Sequence, residues 1–235
     1  MIKSYFPFKT LLLITIFSIA MGYLETSVVV YLRALLYPQG FSFPLSPMPS
    51  SLIITEILRE AATLIMLLGA GVMAGHTLIT RFAWLMYAFA IWDIFYYVFL
   101  KALLNWPESL FTWDLLFLIP VTWTGPVIAP IIVSITMIAF ALLIIHKSTK
   151  TETIRMGWSN WNLLIAGSVI LIISFTLDYL KFVTTKINLL NIFSIPKDLL
   201  LNISFEYVPN RFNWLVFTIG EMIIIFAIIR FYRRK

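Results

Sequence analysis

The chain has 235 residues, is 61% apolar and only 12% charged, and carries a formal net charge of +6. Soluble domains run nearer 45–50% apolar with about twice that charged content, so a water-soluble globule is excluded and an integral membrane protein is indicated. With no cysteine, disulfides, thiolate nucleophiles and Cys-ligated metals are excluded as well. The basic excess lies scattered over short loops and helix ends, a pattern that sets membrane orientation and does not point to nucleic acid.

A helix needs about 20 apolar residues to cross the hydrocarbon, and six segments qualify. The first runs from Leu11 to Leu36. Lys3 and Lys9 precede "LLLITIFSIA", and Ser18 and Ala20 have the small-residue spacing of a signal-peptide cleavage site. The apolar run continues well past Ala20, so a retained first helix is predicted. Glu25 lies near its middle, and Arg33 at its end is read as an anchor whose long side chain reaches for the interface. A Pro-, Gly- and Ser-rich stretch, "YPQGFSFPLSPMPSS", then marks a loop.

The second span, Ser51–Gly75, opens with "TEILRE". Glu56 and Glu60 are i,i+4 and project from one face, and Arg59 is i+3 from Glu56 and can pair with it. A turn at "GHTLITR" leads to the third span, Phe82–Leu104. There "WDIFYY" puts Tyr96 and Tyr97 three and four residues after Asp93, where a phenol can donate to the carboxylate. Lys101 is read as another interfacial anchor.

The fourth span, Leu115–Ile145, is preceded by Asp114, read as its cap. It contains Pro120, Gly125, Pro126 and Pro130. Each proline removes a backbone donor and crowds the preceding turn, so a kink or break is expected near Thr124–Pro126. The fifth span, Asn162–Thr184, carries Asp178 and Lys181 near its end, i,i+3 and able to pair. The segment Lys186–Arg211 is too short and interrupted to span and is expected to lie along the outer surface, where it would roof any cavity. It includes a sequon at Asn202. The sixth span, Phe212–Ile229, contains Glu221.

Six spans put both termini on one side. Lys3, Lys9, Arg81, Lys147, Lys150, Arg155, Arg230, Arg233, Arg234 and Lys235 flank that side, against Lys186, Lys197 and Arg211 on the other. This bias predicts a cell-membrane protein with both termini in the cytoplasm. Converted to depth at 1.5 Å per residue, the ionisable groups of all six spans then fall in the outer half or at its boundary. Such groups are costly in lipid and usually face the bundle interior. They are therefore expected to converge on one polar cavity open to the outside.

In that cavity Glu25, Asp93 and Glu221 are the candidate acid and base, and Glu56, Arg59, Glu60, Tyr96, Tyr97, Asp178 and Lys181 the candidate substrate contacts. Arg59 would hold an anionic head or a carboxylate partner. No nucleotide loop, dinucleotide fingerprint or H-E-x-x-H helix is present. His76 and His146 sit at the opposite end from the acids. No cofactor or metal is predicted. The expected fold is an all-α, six-transmembrane-helix bundle with a Pro/Gly-broken fourth helix and an external interfacial segment between helices 5 and 6. The favoured function is a membrane-embedded enzyme or binding protein for a lipophilic or amphiphilic substrate. A proton- or ion-coupled transporter and a non-catalytic subunit of a membrane complex are the alternatives. The partners this implies are the lipid bilayer, a lipophilic or small-molecule ligand, and subunits of a membrane complex.

Overall fold

The computed structural model describes residues 6–119, 121–151, 154–187 and 203–233. Lys3, Pro120, Lys197, the Asn202 sequon, Arg234, Lys235 and most of the expected surface segment lie outside the described residues. Six helices are long and apolar enough to cross a membrane. They are α1 (Phe8–Leu36), α2 (Ser50–Ala74), α3 (Leu78–Leu104), α4 (Ile128–Ser148), α5 (Trp158–Lys186) and α6 (Trp214–Arg233). Two strands, β1 (Trp113–Phe117) and β2 (Trp123–Pro126), intervene between α3 and α4.

The exterior carries large apolar side chains: Leu12, Ile65, Met73 and Leu215 are among those left exposed. A monomeric soluble protein rarely tolerates apolar patches on that scale. This is a multi-pass membrane protein.

The third helix is central. Over its most apolar 18-residue stretch 56% of the residues are buried, against 22–33% in the other five. It packs on α1, α2 and α4, while α5 and α6 pair with each other and join the rest through α4 and β2. Thr77 starts α3 with a reciprocal capping box to Thr80, which satisfies two otherwise orphaned donors. Asn105 ends it in the left-handed region, φ 51°. Lys101 turns back there, and its Nζ donates to the carbonyls of Asn105 at 3.3 Å and Pro107 at 3.0 Å. Lys101 thus caps the C-terminal end of α3.

The expected fourth span divides. Leu115–Phe117 and Trp123–Pro126 are antiparallel strands, and helix starts only at Ile128. Asp114 pairs with Gly125 and Leu115 with Thr124, with an irregularity before Phe117. Asp114 is therefore a strand residue and caps no helix. Proline cannot continue a helix ladder, whereas Trp, Phe and Leu suit a half-buried strand. Gly125 allows the hairpin to sit tightly. A Cβ there would lie 3.1 Å from the rings of Phe175 and Phe212, the rings that pack β2 against α5 and the start of α6.

Candidate functional site

The N-terminal half of α2 presents Glu56, Arg59, Glu60 and Thr63 at helical spacing, one stripe facing inward. Arg59 is the hub. Its Nε donates to Glu56 Oε2 at 2.9 Å and its Nη2 to Glu56 Oε1, a bidentate pair. Its Nη1 makes a second ion pair, with Glu25 of α1. That contact is close but not aligned as a hydrogen bond. Thr63 faces both Glu25 Oε2, at 3.3 Å, and the Arg59 carbonyl, at 3.1 Å. Glu60, one residue on, turns toward the hairpin and accepts the Leu118 N–H, at 3.2 Å and 3.0 Å to its two oxygens.

Arg33 and Asp114 form a second charged pair, 3.5 Å apart. The sequence suggested a lipid-interface anchor and a helix cap, but these residues are only 8% and 2% exposed. The guanidinium does not reach outward because two rings hold it, Trp106 at 3.9 Å and Phe41 at 4.5 Å from its carbon. Burial pushes the Asp114 carboxyl up to about 6. The Arg33 charge, the Leu115 N–H and the Tyr97 hydroxyl oppose that rise.

Both charged groupings open on one cavity of about 410 Å³. Arg33, Glu56, Arg59, Glu60 and Asp114 are in its wall, together with Tyr96. The rest of the lining, including Leu32, Ile53, Ile57 and Val183, is mainly apolar. Behind it, sharing Tyr96 and Leu116, is a cavity of about 100 Å³ lined by Glu25, Asp93, Tyr97 and Ser134. Asp93 Oδ2 accepts a hydrogen bond from Ser134 Oγ at 2.8 Å. The donor therefore comes from α4, not from the phenols on the next turn of α3. Tyr97 faces Asp114 instead.

Three of the expected site residues stand elsewhere. Glu221 of α6 borders a separate cavity of about 260 Å³, bounded by α3, α4, α5 and α6, together with Trp123 of β2. Asp178 accepts hydrogen bonds from Tyr207 Oη at 2.8 Å, Asn210 N at 3.0 Å and Arg211 N at 3.4 Å. It thereby latches the irregular segment leading into α6. Burial raises the Tyr207 phenol well above its usual range, which keeps it a donor. Lys181 is exposed and makes no ion pair with Asp178. The neighbouring Tyr179, not Asp178, lines the large cavity.

Comparison with protein-family models, with curated proteins and with solved structures finds no match.

Glu25, Glu56, Glu60 and Asp114 face Arg33 and Arg59, four carboxyls against two guanidinium groups. Arg59 is already held by two of the carboxyls, so it is not free to receive an anionic head. The surplus favours a neutral or cationic polar group, or protons. Among the described residues no cluster of three or more metal-ligating side chains occurs.

Proposed function

We propose that this is a membrane-embedded enzyme or binding protein whose substrate is amphiphilic, with a long apolar part and a neutral or cationic polar end. The observation that carries this reading is one cavity whose wall is apolar except for a charged band drawn from α1, α2 and the hairpin. Small-molecule sites are mostly apolar with a few convergent polar groups, and at about 410 Å³ this cavity falls within their usual size. The apolar part of the substrate packs on Leu32, Ile53, Ile57 and Val183, and its polar end meets Glu60 and the Arg59 cluster. Glu25 and Asp93, in the adjoining cavity, are the candidate acid and base. The asymmetry of basic residues supports placing this end of the bundle away from the cytoplasm in a cell membrane. Reporter fusions after Lys150 and in the Pro38–Pro49 loop test that orientation, and a cytoplasmic Pro38–Pro49 loop would reverse it.

The main experiment compares the wild type with Ile57→Trp, which fills the cavity from a half-exposed position. Both are purified in nanodiscs, and lipophilic molecules that co-purify are identified by mass spectrometry. A molecule retained by the wild type and lost from a variant with an unchanged melting temperature supports the proposal. Identical extracts from the two proteins refute it. Asp93→Asn and Glu25→Gln then separate chemistry from binding: an enzyme retains unreacted substrate on a folded variant, whereas a binding protein carries the same molecule throughout.

A further inference from the structure

We infer that the cavity of about 260 Å³ bordered by Glu221 is a second binding site, for a lipophilic amine whose ammonium group pairs with that carboxylate. Glu221 is only 6% exposed. Thr136 of α4 donates to its Oε1, but its Oε2 is buried without a hydrogen-bond partner. Among the described residues no cation forms an ion pair with it. A buried carboxylate with an unfilled oxygen is costly unless something pairs with it, and the space for a partner lies directly beside it.

The walls select the partner's chemistry. Phe82, Phe140, Phe175 and Trp123 line the cavity, and aromatic faces attract cations through their quadrupoles. An anion would be repelled by Glu221, and a ligand without a donor would leave Oε2 as it stands. The route of access selects for solubility in hydrocarbon. Ser168 and Ile172 of α5 line the cavity and also lie on the exposed side of that helix, so the ligand comes from the apolar phase. At about 260 Å³ the space is just under the usual range for drug-sized ligands, which suits a single alkyl chain or small ring bearing one amine. This site shares no charged residue with the larger cavity, so it is independent of the function proposed for that one.

The test uses N,N-dimethyldecylamine as probe, with decyl methyl ether as a neutral control of similar length. Bound copies are counted by native mass spectrometry of the full-length protein in detergent, over a range of probe concentrations. Saturable binding of the amine is expected, with the ether at least about tenfold weaker. Glu221→Gln should weaken the amine by about tenfold to a hundredfold, the loss expected for one charge-assisted hydrogen bond in a buried site. All of these proteins also carry Ile57→Trp, which fills the larger cavity, so that the amine is counted at the Glu221 site alone. Where Glu221→Gln does not fold, Ser168→Phe at the exposed margin serves instead and should abolish binding. The inference is overturned if amine and ether bind alike, or if Glu221→Gln or a folded Ser168→Phe binds the amine as its Ile57→Trp parent does.

Discussion

Glu60 on α2 accepts the backbone N–H of Leu118, at 3.2 Å and 3.0 Å to its two oxygens. A helix carboxylate thus holds the turn of a hairpin 58 positions further along the chain. The charged stripe on α2 therefore has two tasks. Arg59 ties α2 to α1, and Glu60 ties α2 to the connection between α3 and α4.

The Glu60 contact predicts a difference between two substitutions. Glutamine keeps a carbonyl oxygen for the Leu118 N–H, and leucine does not. Glu60→Leu should lose about 1–3 kcal/mol of stability, and Glu60→Gln less. The Leu118 amide should exchange with deuterium faster in Glu60→Leu alone. Equal exchange in both variants would show that the turn is held by something else.

Arg59 should be the least replaceable member of its cluster. Its removal leaves Glu25 and Glu56, whose side chains are 11% and 13% exposed, facing each other without a cation. Breaking a buried ion pair from one side typically costs about 3–5 kcal/mol. Arg59→Leu should approach that cost, while Glu25→Gln leaves the Glu56 pair intact and should cost less. The double variant should be more stable than the sum of the two predicts, since the partners share one network. Thermal melts of the four proteins measure this, and simple additivity would dissolve the cluster as a unit.

The helices and the α2 stripe are legible in the sequence because each rests on spacing along a single segment. Length and apolarity mark a span, and i,i+3 and i,i+4 place Glu56, Arg59 and Glu60 together. The hairpin is not legible in the same way. "LLFLIPVTWTGP" is apolar throughout, and a short apolar run does not distinguish a strand from a buried helix. Its prolines and glycine mark a break without showing its shape. Nor is direction around a helix axis legible. Lipid is as apolar as the packed interior, so a helix like α6 shows little one-sidedness. Glu221 has a depth that suggests the large cavity and an azimuth that takes it to another. Arg33 and Asp114 are polar residues at element ends whose pairing depends on two distant segments, with Trp106 and Phe41 closing over the guanidinium.

Two glycines on α2 give a sharp contrast in packing. Gly69 has no atom within 4 Å of where a Cβ would stand, while Gly71 would place one 2.7 Å from the Leu85 backbone N and 2.9 Å from its Cα. Because the obstacle is backbone, α2 and α3 would have to separate. Gly71→Ala should destabilise by about 1–3 kcal/mol, the usual penalty for overpacking. Gly69→Ala should be neutral or slightly stabilising, since alanine favours helix by about 1 kcal/mol. Melting temperatures of the two variants side by side decide the matter, and a tolerated Gly71→Ala would mean that the α2–α3 contact is looser than a 2.7 Å approach implies.

Asp114 gives the bundle a pH dependence of unusual sign for a salt-bridged acid. Its carboxyl has an ordinary value of 3.8 and is pushed up to about 6, because burial outweighs the Arg33 charge. The folded protein therefore takes up the Asp114 proton more readily than the unfolded chain. This group's contribution is greatest below pH 4, declines as the pH rises toward 6, and is flat above that. The span corresponds to roughly 2–3 kcal/mol at about 1.4 kcal/mol per unit. Asp114→Asn cannot titrate, so the stability of the wild type relative to it should fall by that amount between pH 4 and 6. A relative stability that instead rises over the same interval would mean that the Arg33 charge, and not burial, governs this carboxyl.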